Sequence, residues 1–119
     1  MKIEGEGVLL RVFIGDSDRW EGRPLYEAIV RQVRAAGLAG ATVLRGLEGF
    51  GACSRIHTAR ILRLSEDLPV VIEIVDQENR IRSILPEMDR MVADGMMTLE
   101  KVHVIRYRAE SDPASHPRS

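Results

Sequence analysis

At 119 residues, 45% hydrophobic and 29% charged, the chain has the size and composition of one globular domain, and its net charge of −1 argues against a dedicated nucleic-acid binder. No apolar run approaches the length that spans a bilayer, and the first residues do not resemble a secretion signal. A single cysteine, Cys53, excludes an internal disulfide and favours a reducing compartment, so we expect a cytoplasmic protein without membrane insertion.

The first half of the chain predicts two strands separated by a helix. Residues 7–14, GVLLRVFI, are β-branched and apolar on both faces, which is typical of a covered strand. The polar segment 15–23 predicts a loop. Pro24 suits the first position of a helix, and apolar residues then recur at helical spacing up to a stop at Gly37. Residues 41–50 predict a second strand, which its glycines weaken at the far end.

The second half predicts the same arrangement after a long connection over residues 51–67. Residues 68–76, LPVVIEIVD, predict the third strand, and Asp76 is expected to cap the helix that follows. Pro86 lies inside this helix and should kink or split it, and Gly95 is expected to mark its end. Residues 97–107 predict the last strand.

The order β-α-β-β-α-β predicts a ferredoxin-like α+β sandwich, with two helices on one face of a four-stranded antiparallel sheet. One domain is expected to span residues 1–108, followed by a polar and disordered tail at 109–119. This fold normally leaves one sheet face open, whereas the strands here are apolar on both faces. An exposed apolar face favours association, so we expect a symmetric homo-oligomer.

Three glycines lie within six residues in the stretch LRGLEGFGACSRIHTAR, residues 44–60. Gly46 and Gly51 have the separation of a phosphate-binding loop, but Ala52 and Cys53 stand where that motif has Lys and Ser or Thr. The dinucleotide-binding pattern G-x-G-x-x-G is also incomplete. Taken alone, the glycines predict a bent or bulged strand end.

Basic residues surround these glycines. Four arginines stand against one glutamate, Glu48, in a chain that is otherwise slightly acidic, and they are Arg45, Arg55, Arg60 and Arg63. This local positive charge favours an anionic ligand or partner.

Two further groups of residues could bind a ligand. Glu48, Cys53 and His57 are close in sequence, but their spacing matches no zinc motif and shows no base that would activate a catalytic thiol. Arg106 and Arg108 alternate at the end of the last strand, so both side chains point to one side. They are either a solvated strand end or a two-arginine clamp for phosphates, which planar guanidinium groups suit.

The residues quoted above resemble a known family. The run GLAGATVLRGLEGFG, followed by SRIHTARILRLSEDLP, and the later segment MMTLEKVHVIRY resemble PII-like proteins of the domain of unknown function 190 family. The resemblance covers residues 7–108. It implies a ferredoxin-like subunit, a homotrimer and kinship with PII signalling proteins. Those trimers bind adenine nucleotides in clefts between subunits and contact a target through a long loop after the second strand.

The resemblance also implies where a ligand would bind. The base of the PII loop corresponds to the segment from Gly46 to Gly51, and basic residues near the end of the last PII strand correspond to Arg106 and Arg108. The Gly- and Lys-rich turn that meets phosphates in PII proteins is only ADGMM here, with Gly95 and no lysine. Genes of this family often lie beside fluoride-exporter genes, which points to a membrane transporter as a partner.

We therefore expect a homotrimeric regulator, not an enzyme, that binds an anionic effector, most simply an adenine nucleotide, between subunits. The expected ligand residues are Arg45, Gly46, Gly49, Gly51, Gly95, Arg106 and Arg108. The 51–67 loop would contact a protein target, such as a membrane transporter, rather than nucleic acid. Its expected contact residues are Ser54, Arg55, His57 and Arg60.

Two alternatives stay open. The first is a metal-binding ion-tolerance protein of the CutA-like kind, which would use Glu48, Cys53 and His57. The second is an enzyme on the same fold, such as a small phosphatase, which is less favoured because no nucleophile and base stand at recognisable spacing.

Overall fold

The computed structural model describes residues 1–49 and 67–109. In chain order the elements are β1 (Lys2–Gly15), β2 (Arg19–Trp20), β3 (Arg23–Pro24), α1 (Leu25–Ala35), β4 (Thr42–Arg45), β5 (Pro69–Asp76), α2 (Glu78–Met91) and β6 (Met96–Arg108). The main sheet has the order β4-β5-β1-β6, and every neighbouring pair is antiparallel. This topology, with two helices on one face, confirms the predicted ferredoxin-like α+β fold.

The core lies between the two helices and one face of the sheet. Alternate residues of β1 and β5 point into it and meet the apolar stripes of α1 and α2. The most deeply buried apolar side chains are Leu10, Val12, Ile29, Val33, Val70, Ile72, Ile74, Ile81 and Met88. Neither described helix could cross a membrane, since α1 has 11 residues and α2 has 14.

The first strand is longer than predicted. β1 begins at Lys2 rather than at residue 7, because the segment KIEGE pairs with the last residues of β6. This segment contains one glycine and three charged residues, which are depleted in strands, so a propensity argument does not predict it. Ile3 within it is nevertheless buried.

The segment 15–23 is not only a loop, as predicted. It contains the β2–β3 hairpin, whose turn residues Glu21 and Gly22 have φ values of 44° and 83°. Two consecutive positive φ values are typical of the tight turns that join antiparallel strands. Pro24 belongs to this hairpin, with an extended ψ of 135°, so α1 begins one residue later at Leu25.

The second helix also differs from prediction at both ends. Gln77, not Asp76, occupies the position before the first helical residue. Pro86 does not split the helix, which is continuous from Glu78 to Met91. Because proline has no N–H, the carbonyl one turn earlier has no donor within the helix. This carbonyl lies on the exposed side, where water can donate a hydrogen bond to it. The helix ends at Met91, four residues before Gly95, because Val92 is already extended.

The strand β4 ends at Arg45, although residues 41–50 predicted a longer strand. The ladder stops where Gly46 donates its backbone N–H to the Pro69 carbonyl (2.7 Å). The residues from 50 onward in that prediction, and the tail 110–119, lie outside the described ranges.

Asp76 is the one charged side chain that the core encloses within the described residues, and it is fully buried. Its Oδ1 accepts hydrogen bonds from the Gln77 N–H (2.7 Å) and from Arg80 Nε (2.9 Å). Its Oδ2 accepts from the Ala39 N–H (2.9 Å), and Arg80 in turn donates to the Gly37 carbonyl. This carboxylate therefore connects the end of β5, the first turn of α2 and the connection that follows α1.

Replacing this carboxylate should destabilise the whole fold. We expect Asp76→Ala to lower the free energy of unfolding by about 3 kcal/mol, because two backbone N–H groups and Arg80 lose their acceptor. The matched control is Glu78→Ala, which removes only an exposed pair with Arg82 and should cost less than about 1 kcal/mol. Urea unfolding at one fixed protein concentration measures both, and equal losses in the two variants would contradict this role for Asp76.

Candidate ligand site and interaction face

One group of expected ligand residues lies at one end of the sheet. We call this the glycine end and define it by Gly15, Arg45, Gly46, Gly49 and Gly95. Gly46 approaches Pro69, the register partner of Gly15, and Gly95 approaches the backbone of Phe13 near the end of β1. Gly51, the remaining glycine of the predicted site, lies outside the described residues.

Close backbone approach explains two of these glycines. A Cβ on Gly46 would lie 2.9 Å from Pro69 Cγ, and a Cβ on Gly95 would lie 2.5 Å from the Phe13 carbonyl oxygen. Gly95 also has a φ of 154°, which side chains disfavour. Both residues thus have a structural reason to be glycine, whether or not a ligand approaches their backbone.

The glycine end also holds the two described ends of the long connection, Gly49 and Asp67. Arg45 forms an ion pair with Asp16 (NH2 to Oδ1, 3.1 Å), so its charge is already partly compensated within the chain. Ser17 donates from both its N–H (3.1 Å) and its hydroxyl (2.8 Å) to Asp67 Oδ1. The turn at residues 16–18 therefore contacts both sides of the connection.

A second group lies at the opposite end of the sheet. Arg106 and Arg108 of β6 line an open groove of about 540 Å³ together with Lys2. We call this the arginine groove; its lining residues are Met1, Lys2, Arg106, Arg108 and Ala109. Lys2 was missed by sequence reasoning because the predicted strand began at residue 7. The alternation of Lys2, Ile3 and Glu4 was the signal that could have revealed it.

The two groups are far apart in one chain. β1 runs from the arginine groove to the glycine end, and 14 residues of strand span roughly 45 Å. The structure therefore brings Gly46 and Gly95 toward one end and Arg106 and Arg108 toward the other. It does not bring all the expected ligand residues together within a single subunit.

The sheet face opposite the helices, called the open face here, is organised in rows across the strands. One row is apolar and contains one residue from each main strand: Leu44, Val71, Phe13 and Met96. Leu44 is 48% exposed and Met96 is 53% exposed. The described residues leave this apolar row without a covering layer.

The next row of the open face is polar and centres on Arg11. Its Nε contacts Glu73 Oε2 and its NH1 contacts Glu100 Oε1, both at 3.0 Å. The hydrogen bond to Glu73 is the main cause that raises the pKa of Arg11 above its ordinary value. Thus a charged triad lies on the open face, in a row next to the apolar one.

The metal alternative and the partner loop depend on residues that the structure does not describe. Ser54, Arg55, His57 and Arg60 lie outside the described ranges, as does Cys53. Within residues 1–49 and 67–109, no group of three His, Cys, Asp or Glu side chains could hold a metal ion. A site that uses Cys53 and His57 stays a prediction.

Comparison with known proteins gives consistent matches along the chain. The model of the DUF190 family, described as Uncharacterized ACR, matches residues 7–104. A UPF0166 protein of Aquifex aeolicus is 38% identical over 97 residues, which cover 82% of this chain and 91% of that protein. A UPF0166 protein of Methanocaldococcus jannaschii is 33% identical over 104 residues, 87% of this chain and 94% of that protein. The family match includes the glycine end but not Lys2, Arg106 or Arg108.

The contact at Gly95 predicts a stability effect. We expect Gly95→Ala to lower the free energy of unfolding by about 1–3 kcal/mol, because the new methyl group meets the Phe13 carbonyl and the backbone is strained. Gly40→Ala is the control, since apart from its chain neighbours no atom of the described residues lies within 4 Å of its Cβ position. Thermal or urea unfolding measures both variants, and a Gly95→Ala protein as stable as Gly40→Ala would refute the steric argument.

Proposed function

The chain belongs to the DUF190 family, and we propose that it acts as a PII-like regulatory protein. In this proposal it is a cytoplasmic homotrimer without enzymatic activity that binds an anionic effector and contacts a protein target. The observation that carries the proposal is the separation of the two ligand groups. The expected glycines and the expected arginines lie at opposite ends of one sheet, so if both groups hold one ligand, a neighbouring subunit would supply the second half of the site.

Self-association would use the open face. Its apolar row spans all four strands, and apolar area of this kind favours contact with another protein surface. A second copy of the same chain is the simplest occupant, because a cyclic trimer repeats one contact between two patches of the chain at each of its interfaces. The Arg11 triad would then lie inside the interface, where paired charges fix orientation more than they add affinity.

The ligand would lie between two subunits. Gly46 and Gly95 of one subunit would place the glycine end beside the ligand, and Arg106 and Arg108 of the next subunit offer guanidinium groups for phosphates. An adenine nucleotide has both an uncharged ring system and a phosphate chain, which matches this division. The target would be contacted by the 51–67 segment, with a membrane transporter as the first partner to test.

The ligand could influence the target through the turn at residues 16–18. This turn contacts the end of β4 through the Arg45–Asp16 ion pair, and it contacts Asp67, the second described end of the long connection, through the bonds from Ser17. A ligand at the glycine end would change the state of the connection only if it bound one arrangement of this turn more tightly than another.

The nucleotide proposal predicts selective loss of binding in one double variant. We expect calorimetric titration with ATP, ADP, AMP and cyclic AMP to detect at least one ligand. Binding should weaken at least about tenfold in Arg106→Ala/Arg108→Ala, since two charge-assisted contacts are lost. Arg23→Ala/Arg34→Ala removes two exposed arginines outside the groove and should bind normally. Unchanged affinity in the first variant would move the site elsewhere, and no binding of any nucleotide to the wild-type protein would remove the nucleotide from the proposal.

The trimer predicts a difference between two adjacent residues of β4. Leu44 is on the open face and Val43 is on the helix face, and both are partly exposed. Leu44→Arg should shift sedimentation toward monomer at micromolar concentration, because it places a charge in the apolar row. Val43→Arg should leave the trimer intact. A wild-type protein that sediments only as monomer would overturn the proposed assembly.

A further inference from the structure

We propose that Lys2 completes a three-cation site for a phosphate or polyphosphate group, together with Arg106 and Arg108. This inference deepens the proposed function, on which it rests for the identity of the full ligand. The three side chains line one groove within a single chain, so the phosphate site itself needs no neighbouring subunit. Neither the family match nor the sequence pattern assigns Lys2 to a ligand.

The strand register places two like charges directly opposite each other. Lys2 of β1 is the register partner of Arg108 of β6. Facing residues in an antiparallel pair have their Cβ atoms about 5 Å apart, and like charges in this position destabilise the pair. An anion that binds between these two side chains would turn this repulsion into attraction.

A β-bulge and a half-buried tyrosine orient the two arginines toward the groove. Between the pairs Gly5–Val104 and Ile3–Tyr107 the register shifts by one residue, so one residue of β1 faces two of β6. Tyr107 is half-buried and donates its hydroxyl to the Ala39 carbonyl (3.3 Å). Since alternate residues of a strand point to opposite sides, Arg106 and Arg108 point away from that contact.

Within residues 1–49 and 67–109, no carboxylate forms an ion pair that compensates the charge of the groove. Among the described residues, none of the three cations forms an ion pair, whereas Arg11, Arg45 and Arg80 each contact a carboxylate at 3.1 Å or less. Glu4, on the same strand as Lys2, makes no ion pair with any of them in the described part of the chain. Three adjacent cations with an open groove between them favour a multivalent anion.

The chemistry of these side chains selects phosphate as the ligand class. Two guanidinium groups can each bind a phosphate group through two parallel hydrogen bonds, while the lysine ammonium acts as a point charge. A volume of about 540 Å³ is enough for a di- or triphosphate and lies in the range of small-molecule sites. A single carboxylate carries one negative charge against three cations, so it compensates less of the charge in the groove than a phosphate or polyphosphate does.

The test uses the full-length protein with an affinity tag after residue 119, because Met1 lines the groove. Inorganic pyrophosphate and tripolyphosphate are titrated calorimetrically into wild type, Lys2→Ala, Lys2→Arg and the control Lys101→Ala. Lys101 is exposed and is the other lysine of the chain. We expect about tenfold weaker binding in Lys2→Ala, near wild-type binding in Lys2→Arg and Lys101→Ala, and a smaller loss of affinity with added salt in Lys2→Ala.

The outcomes separate this inference from the nucleotide proposal. Tripolyphosphate binding that depends on Lys2, in a protein that binds no adenine nucleotide, supports the phosphate site and rejects the nucleotide. Nucleotide binding that depends on Arg106 and Arg108 but is unchanged in Lys2→Ala rejects the role of Lys2. Absence of polyphosphate binding to the wild-type protein at millimolar concentration rejects the site. Circular dichroism of Lys2→Ala serves as the folding control.

Discussion

The fold depends on one buried carboxylate. Asp76 lies where the end of β5, the first turn of α2 and the connection after α1 meet, and burial of its charge is tolerated because hydrogen bonds use both oxygens. The same residue is the register partner of Val8 in β1. The residue that joins both helices to the sheet is therefore also a strand partner of β1, the strand that connects the arginine groove with the glycine end.

The sequence predicted the core of the fold because its apolar pattern is strongest there. Alternation in β5 and in the second half of β1, and helical spacing after Pro24, reflect side chains that are buried in one packed layer. The start of β1 and the β2–β3 hairpin were missed, since short or polar strands are held by pairing partners rather than by their own propensity. The continuous α2 shows the same limit, because packing of its buried face outweighs the local cost of Pro86.

The candidate site was less accessible to sequence reasoning than the fold. Residue type and resemblance were enough to select Gly46, Gly95, Arg106 and Arg108 as candidates. The distances between these residues depend on strand register, which the sequence does not state. Lys2 becomes a candidate ligand residue only because the strand register pairs it with Arg108. The close approaches of Gly46 and Gly95 to backbone and proline atoms are likewise tertiary contacts that no local pattern encodes.

The length of β1 has a consequence for mixtures of chains. In the proposed trimer, each cleft takes its glycine end from one copy and its arginine groove from the next. A substitution at the glycine end and a substitution in the arginine groove of the same copy therefore affect two different clefts. A trimer that combines copies altered at the glycine end with copies altered at Arg106 always contains one cleft built from two intact halves. Two alleles that each abolish ligand binding alone would therefore complement each other when expressed together, and their defects would be recessive to one another rather than additive.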